Sequence, residues 1–255
     1  MDEPTTAVHH PRQSAVIGII RNGMFRECAV YTCNYQESED RDYLDKDNGW
    51  ARGERDSEGN GNDPDVLGSP LVVLDDQEKH FGHKSLYVLN AFGPTRNFKL
   101  EKDQDGNYKD YIVSAWIKMG TEQGSEQLKI YADLRPVKEG VTPGRPVKCC
   151  GADGDLDPPL QDVGGTINYE RVVTGADASD WTYFELELEI SKLPSSVFPV
   201  PERDVYARVF IGNGDTDFDA HMDDIRIHPK DALVKSFYYD QELGVPVAFV
   251  DENNK

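Results

Sequence analysis

Tyr183-Phe184-Glu185-Leu186-Glu187-Leu188-Glu189-Ile190 alternates along its whole length: Phe184, Leu186, Leu188 and Ile190 share one side, and the glutamates share the other. Side chains on an extended chain point to opposite faces with a period of two, whereas a helix would scatter these residues around its axis. The stretch reads as a half-buried antiparallel strand with one face in water. Comparable β-branched or alternating runs occupy residues 15–20, 28–33, 70–74, 85–91, 111–119, 127–135, 166–173, 181–190, 205–211 and 222–227. Turn chemistry separates them, as at Arg21-Asn22-Gly23. No window of about 11 residues or more has the i, i+3, i+4, i+7 apolar spacing of a helix. A parallel sheet needs crossover connections, usually helical, so the expected architecture is two packed antiparallel sheets or a barrel.

The 255 residues include 27 Lys+Arg against 47 Asp+Glu, a net charge of −20. Phosphate backbones bind cationic surfaces that release counterions, so nucleic acid is excluded as the expected partner, and anionic membranes are disfavoured. No stretch approaches the ~20 consecutive apolar residues of a membrane span, and membrane insertion is not expected. Residues 1–14 are polar and lack the apolar centre of a signal peptide, so they read as a disordered or linker N-terminus. That pattern fits either a cytosolic protein or an internal piece of a longer chain. Cys28, Cys33, Cys149 and Cys150 have no zinc-type spacing. They are free thiols or two disulfides, with three possible pairings. Residues 136–165 repeat Pro and Gly and read as a long loop, either an insertion or a binding loop.

Four stretches carry a family resemblance. They are Asn22-Gly23-Met24-Phe25-Arg26-Glu27 with Asn48-Gly49-Trp50; His80-Phe81-Gly82-His83-Lys84-Ser85-Leu86-Tyr87-Val88; Tyr111-Ile112-Val113-Ser114-Ala115-Trp116-Ile117-Lys118; and Trp181 with Met222-Asp223-Asp224-Ile225-Arg226-Ile227. In this order, over residues 15–229, they resemble the galactose-binding-like β-sandwich of carbohydrate-binding modules, of the CBM4/9 kind. The implied fold is all-β, a jelly roll of two antiparallel sheets. The tail, Lys235-Ser236-Phe237-Tyr238-Tyr239-Asp240-Gln241-Glu242-Leu243-Gly244 followed by Val247-Ala248-Phe249-Val250-Asp251, resembles the start of a YD (RHS) repeat over residues 230–255, with Val245 where the repeat carries Arg. A sandwich joined to such a repeat resembles part of a large secreted or cell-surface bacterial RHS protein.

The resemblance also implies a structural Ca²⁺, held by the opening Glu, by a carbonyl in the turn of the second motif and by the first Asp of the Asp-Asp pair. The matching positions are Glu27, Lys84 through its carbonyl, and Asp223. Glu27 stands one residue later than the family pattern, and a one-residue shift in a strand turns a side chain to the other face. Trp50, Trp116 and Trp181 fall on positions that pack in that superfamily, so they are expected in the core. Asp215, Asp217 and Asp219, like Asp153, Asp155 and Asp157, lack the Gly and terminal Glu of an EF-hand loop and read as solvated turns.

Alternation itself supplies the binding candidates. With Leu128, Ile130, Ala132 and Leu134 inward, Tyr131, Asp133 and Arg135 face out beside Lys129. With Val205, Ala207, Val209 and Ile211 inward, Tyr206, Arg208 and Phe210 face out. Rings that lie against pyranose faces, with Asp and Arg for the hydroxyls, suit a polysaccharide or glycan. Such a stripe equally suits a neighbouring domain of a larger chain, or a cover of the protein's own loops. The net charge disfavours sulfated or uronic glycans unless arginines cluster locally or Ca²⁺ bridges. No G-x-S-x-G elbow, H-E-x-x-H motif or phosphate loop is present, and no carboxylate pair stands out, so no catalytic residue is assigned. The expectation is a non-catalytic carbohydrate-binding module. The alternatives are a structural or docking spacer without a glycan ligand and, behind it, a polysaccharide-degrading enzyme.

Overall fold

The computed structural model describes the backbone at residues 5–9, 16–21, 29–31, 43–45, 50–51, 71–80, 85–89, 93–120, 127–139, 158–162, 164–198, 203–212, 218–239 and 246–250, and side chains at 75–80, 85–89, 93–120, 127–139, 158–162, 164–198, 203–212 and 218–232. The strands are β1 (Thr5–His9), β2 (Val16–Arg21), β3 (Ala29–Tyr31), β4 (Tyr43–Asp45), β5 (Trp50–Ala51), β6 (Leu71–Asp75), β7 (Ser85–Leu89), β8 (Thr95–Lys99), β9 (Tyr111–Met119), β10 (Gln127–Pro136), β11 (Gln161–Asp162), β12 (Gly165–Thr166), β13 (Asn168–Thr174), β14 (Thr182–Leu188), β15 (Val205–Gly212), β16 (Asp219–Pro229), β17 (Leu233–Tyr239) and β18 (Pro246–Val250). Among the described residues there is no α-helix, only 3₁₀ turns at Ile190–Lys192 and Ser195–Val197.

The first sheet runs β13-β10-β15-β8-β5-β4 and the second β14-β9-β16-β7-β6, with β3 also on β16; all named pairings are antiparallel. From β7 to β10, and again from β13 to β16, each strand lies in the sheet opposite its predecessor. This is the wrapping of a jelly-roll β-sandwich. Inward residues of both sheets form one apolar cluster, from Leu128, Ile130 and Ala132 on β10 and Val209 and Ile211 on β15 to Val113 and Ile117 on β9 and Phe184 and Leu186 on β14. The alternating stretch that opened the sequence reading is strand β14, an edge of the second sheet. Ile190 has already entered a 3₁₀ turn but still packs into the core.

Several boundaries differ from the sequence reading. Strand β8, Thr95-Arg96-Asn97-Phe98-Lys99, was not visible because only Phe98 is both apolar and buried there. The run at 166–173 divides into β12 and β13, and that at 222–227 extends to Asp219–Pro229 around a bulge. Within the long 136–165 stretch, Leu160 donates its N–H to the Leu134 carbonyl, and β11 pairs with β12. Residues 140–157 lie outside the described residues. Thr5–His9, within the expected linker 1–14, forms β1 on β2. The tail forms a hairpin, β17–β18, and β17 pairs with β2, giving a sheet of order β1-β2-β17-β18. All four cysteines lie outside the described residues. No helix among the described residues is long and apolar enough to cross a membrane.

Candidate functional site

Strands β10 and β15 pair in a register that sets Tyr131 opposite Phe210, Asp133 opposite Arg208 and Arg135 opposite Tyr206. The intervening Ile130, Ala132, Leu134, Ala207, Val209 and Ile211 are fully buried between the sheets. The period of two therefore brings all six expected residues onto the outer face of the first sheet, as cross-strand neighbours. The Tyr131 and Phe210 rings stack with centroids 4.7 Å apart and planes inclined by 24°. Each ring thereby covers one face of the other.

Below that pair lies a charged knot. Arg135 Nε donates to Asp133 Oδ1 at 2.9 Å and its Nη2 to Oδ2 at 3.3 Å, while Arg208 Nη2 donates to Oδ2 at 2.6 Å. Side-chain exposure falls from 28% at Arg208 through 10% at Arg135 to 1% at Asp133. The stripe is therefore not uniformly exposed, as the sequence reading expected: Asp133 and Arg135 are buried, and Tyr131, Tyr206, Arg208 and Phe210 are half-buried. Alternation assigns a face, but not the cover that neighbouring strands and long side chains provide. Burial raises the Tyr131 phenol above its ordinary value, and the Asp133 charge adds to this.

Flanking strands extend the face with residues that the sequence reading did not single out. Strand β13 sets Glu170 opposite Tyr131 and Asn168 opposite Asp133, and β8 sets Asn97 opposite Arg208 and Lys99 opposite Tyr206. Lys129 pairs with Glu170 at 3.1 Å and Lys99 with Asp204 at 2.8 Å. The period of two in Asn168-Tyr169-Glu170 was available as a signal. Strand β8, too polar to read as a strand, offered none.

The outer face of the second sheet carries the aromatics that were expected in the core. Trp116 and Trp181 are half-buried and stand apart from the apolar cluster. The His80 ring stacks on Trp116 at 4.0 Å and lies 5.3 Å from Trp181, and Tyr183 lies 5.6 Å from Trp116. Trp116 is on β9 between the inward-facing Ala115 and Ile117, so strand parity alone sends it outward. Burial lowers the His80 pKa, against the opposing charges of Asp224 and Asp180. Nearby, His221 Nε2 meets Asp75 Oδ2 at 2.8 Å, and Lys118 pairs with Glu78 at 2.7 Å. Burial would raise the Asp75 pKa, but the Gln77 N–H and the His221 ring outweigh it and lower the carboxyl. The side chains of Trp50 and His83 lie outside the described residues.

Of the three expected Ca²⁺ ligands, Glu27 and Lys84 lie outside the described residues. Asp223 is fully buried, and its Oδ1 accepts the N–H of Asp224 at 2.8 Å. Asp224 sits in the bulge of β16 at φ 48° and forms an ion pair with the equally buried Arg226. One carboxylate oxygen of Asp223 is thus committed to the backbone, while Ca²⁺ takes six to eight oxygens. Among the described residues no group of three or more His, Cys, Asp or Glu is placed to hold a metal ion. Asp219, from the EF-hand-like stretch, spends Oδ1 on the Gly120 N–H at 2.9 Å.

No protein-family model matches the chain, and no curated protein matches it. Among solved structures it is similar to the CBM22-1 xylan-binding domain from Paenibacillus barcinonensis Xyn10C, at 10% identity and a TM-score of 0.36, over 79% of this chain and 92% of that one. It is also similar to the family 30 carbohydrate-binding module of the cellulosomal cellulase Cel9D-Cel44B of Clostridium thermocellum, at 15% identity and a TM-score of 0.37, over 79% and 98%. A third is the C-terminal family 22 carbohydrate-binding module of Clostridium thermocellum Xyn10B, at 15% identity and a TM-score of 0.33, over 65% and 84%. At this level of likeness the functional reading rests on the sheet face itself.

Proposed function

We propose that the outer face of the first sheet binds a carbohydrate without transforming it. The observation that carries this reading is the stacked Tyr131–Phe210 pair, adjacent on the same two strands to the Asp133–Arg135–Arg208 knot. A ring face supplies the apolar contact a pyranose needs, and a guanidinium supplies donors for its hydroxyls. In the same reading the chain is part of a large secreted or cell-surface RHS-repeat protein of bacteria, and Asp223 contributes to a structural Ca²⁺ site. Affinity electrophoresis of the intact chain in gels containing xylan, mixed-linkage β-glucan, galactomannan or polygalacturonate tests it. Retardation in at least one gel, weakened by Tyr131→Ala, is the expected result; equal mobility in every gel overturns it.

A spacer role has one observation in its favour. Asp133 and Arg135 are buried, as they would be if the face were a structural surface. That reading predicts no retardation in any gel and a large loss of stability on Tyr131→Ala.

A further inference from the structure

Arg135 holds both oxygens of Asp133, one through Nε and the other through Nη2, and Arg208 reaches across from the facing strand to the second of them. Asp133 and Arg208 are register partners, so the contact spans a single strand spacing and holds both side chains on the outer face. The carboxylate is 1% exposed, whereas the Arg208 side chain keeps 28% of its surface in water. A sugar hydroxyl that approached Asp133 would have to displace a guanidinium from a charge-assisted hydrogen bond, one of the stronger contacts a side chain makes. Of the two partners, Arg208 is the one whose surface a ligand in solution can reach.

We infer that Asp133 is a positioning residue of the carbohydrate-binding face, and that Arg208, which it orients beside the stacked rings, is the residue that contacts the sugar. The inference rests on the proposed carbohydrate-binding reading and revises the part its residues play: of the two charged partners, the buried one acts only through the exposed one. An unrestrained arginine samples many rotamers, and ordering it on binding lowers affinity. The carboxylate removes that freedom before the ligand arrives. Asn97 on β8 and Asn168 on β13 lie in the same row, on either side of the pair.

A double-mutant cycle on the full chain separates the roles. Its readout is the dissociation constant for whichever of xylan, mixed-linkage β-glucan, galactomannan or polygalacturonate retards the wild type. Asp133→Asn and Arg208→Gln are each expected to weaken binding by about tenfold. The double variant is expected to bind no more weakly than Arg208→Gln alone. A further tenfold loss in the double variant, or unchanged affinity in Asp133→Asn, overturns the inference while leaving carbohydrate binding in place. No retardation of the wild type in any gel overturns both. Should Asp133→Asn fail to fold, Arg208→Lys carries the test, because it keeps the charge and loses the planar fork. Weakened binding at an unchanged unfolding temperature supports the assignment, and unchanged binding overturns it.

Discussion

Arg171 on β13 donates from Nη1 to the backbone carbonyl of Glu185 on β14 at 2.7 Å, joining the edge strand of the first sheet to the edge strand of the second. Its guanidinium also lies over the Phe184 ring, 5.1 Å from the centroid. One side chain thus bridges the two sheets along one side of the sandwich and occupies a carbonyl that an edge strand would otherwise offer to another chain.

Arg171→Ala is therefore expected to cost about 1 kcal/mol, since the residue is exposed and solvent weakens both contacts. For a chain of this size that corresponds to a fall of about 2–4 °C in the unfolding midpoint. Light scattering on heating is expected to begin earlier in the variant. An unchanged midpoint and unchanged scattering would show that the bridge contributes nothing.

The imidazole of His228, on β16, is pushed down to about 4 by burial and by the Arg226 cation, although its contact with the Pro229 carbonyl works the other way. The fold therefore favours the neutral ring, and the unfolded chain takes up the proton first. Stability from this residue is fully present above about pH 6.5 and is lost as the pH falls from there towards 4, by an amount on the order of 3 kcal/mol. Urea midpoints measured across that window are expected to fall for the wild type and to fall less for His228→Asn. Parallel slopes in the two proteins would rule His228 out as the source.

Gly93 links β7 to β8 at φ 68°, and a Cβ there would collide with the Ile211 carbonyl. Gly93→Ala combines left-handed strain with that collision and is expected to cost about 2 kcal/mol or more. Equilibrium unfolding in urea measures it, with a destabilisation below about 0.5 kcal/mol counting against the geometry.

The two aromatic faces are separable by substitution. Phe210→Ala removes half of the stacked pair on the first sheet and is expected to abolish retardation on glycan gels. Trp116→Ala, on the opposite face beneath His80, is expected to lower the unfolding midpoint and leave retardation intact. The reverse pattern would move the binding face to the second sheet.

Calcium is testable through stability, because a ligand that binds only the folded chain raises the midpoint by mass action. The expected result is a rise in midpoint on replacing EDTA with Ca²⁺, reduced in Asp223→Asn. The same midpoint in EDTA and Ca²⁺ would remove the ion from the proposal.

Much of the fold was legible because strand parity is a local property. The alternation at Tyr183–Ile190 and at Gln127–Arg135 told inward from outward residues before any partner strand was known, and the cores of β14 and β10 follow it. Strand β8 was hidden by its polar composition. Trp116 falls on a position that packs in the resembled family, yet the parity of its own strand points it away from the core.

The strand class and the faces of β10 and β15 follow from local alternation, since a period of two needs nothing beyond neighbouring residues. That Tyr131 meets Phe210 and Asp133 meets Arg208 comes from the folded chain, because register depends on pairing between segments some 75 positions apart. Folding also places Asp133 beneath its arginines. Burial is set by what the flanking strands and the long side chains lay over a residue, and no local pattern encodes that.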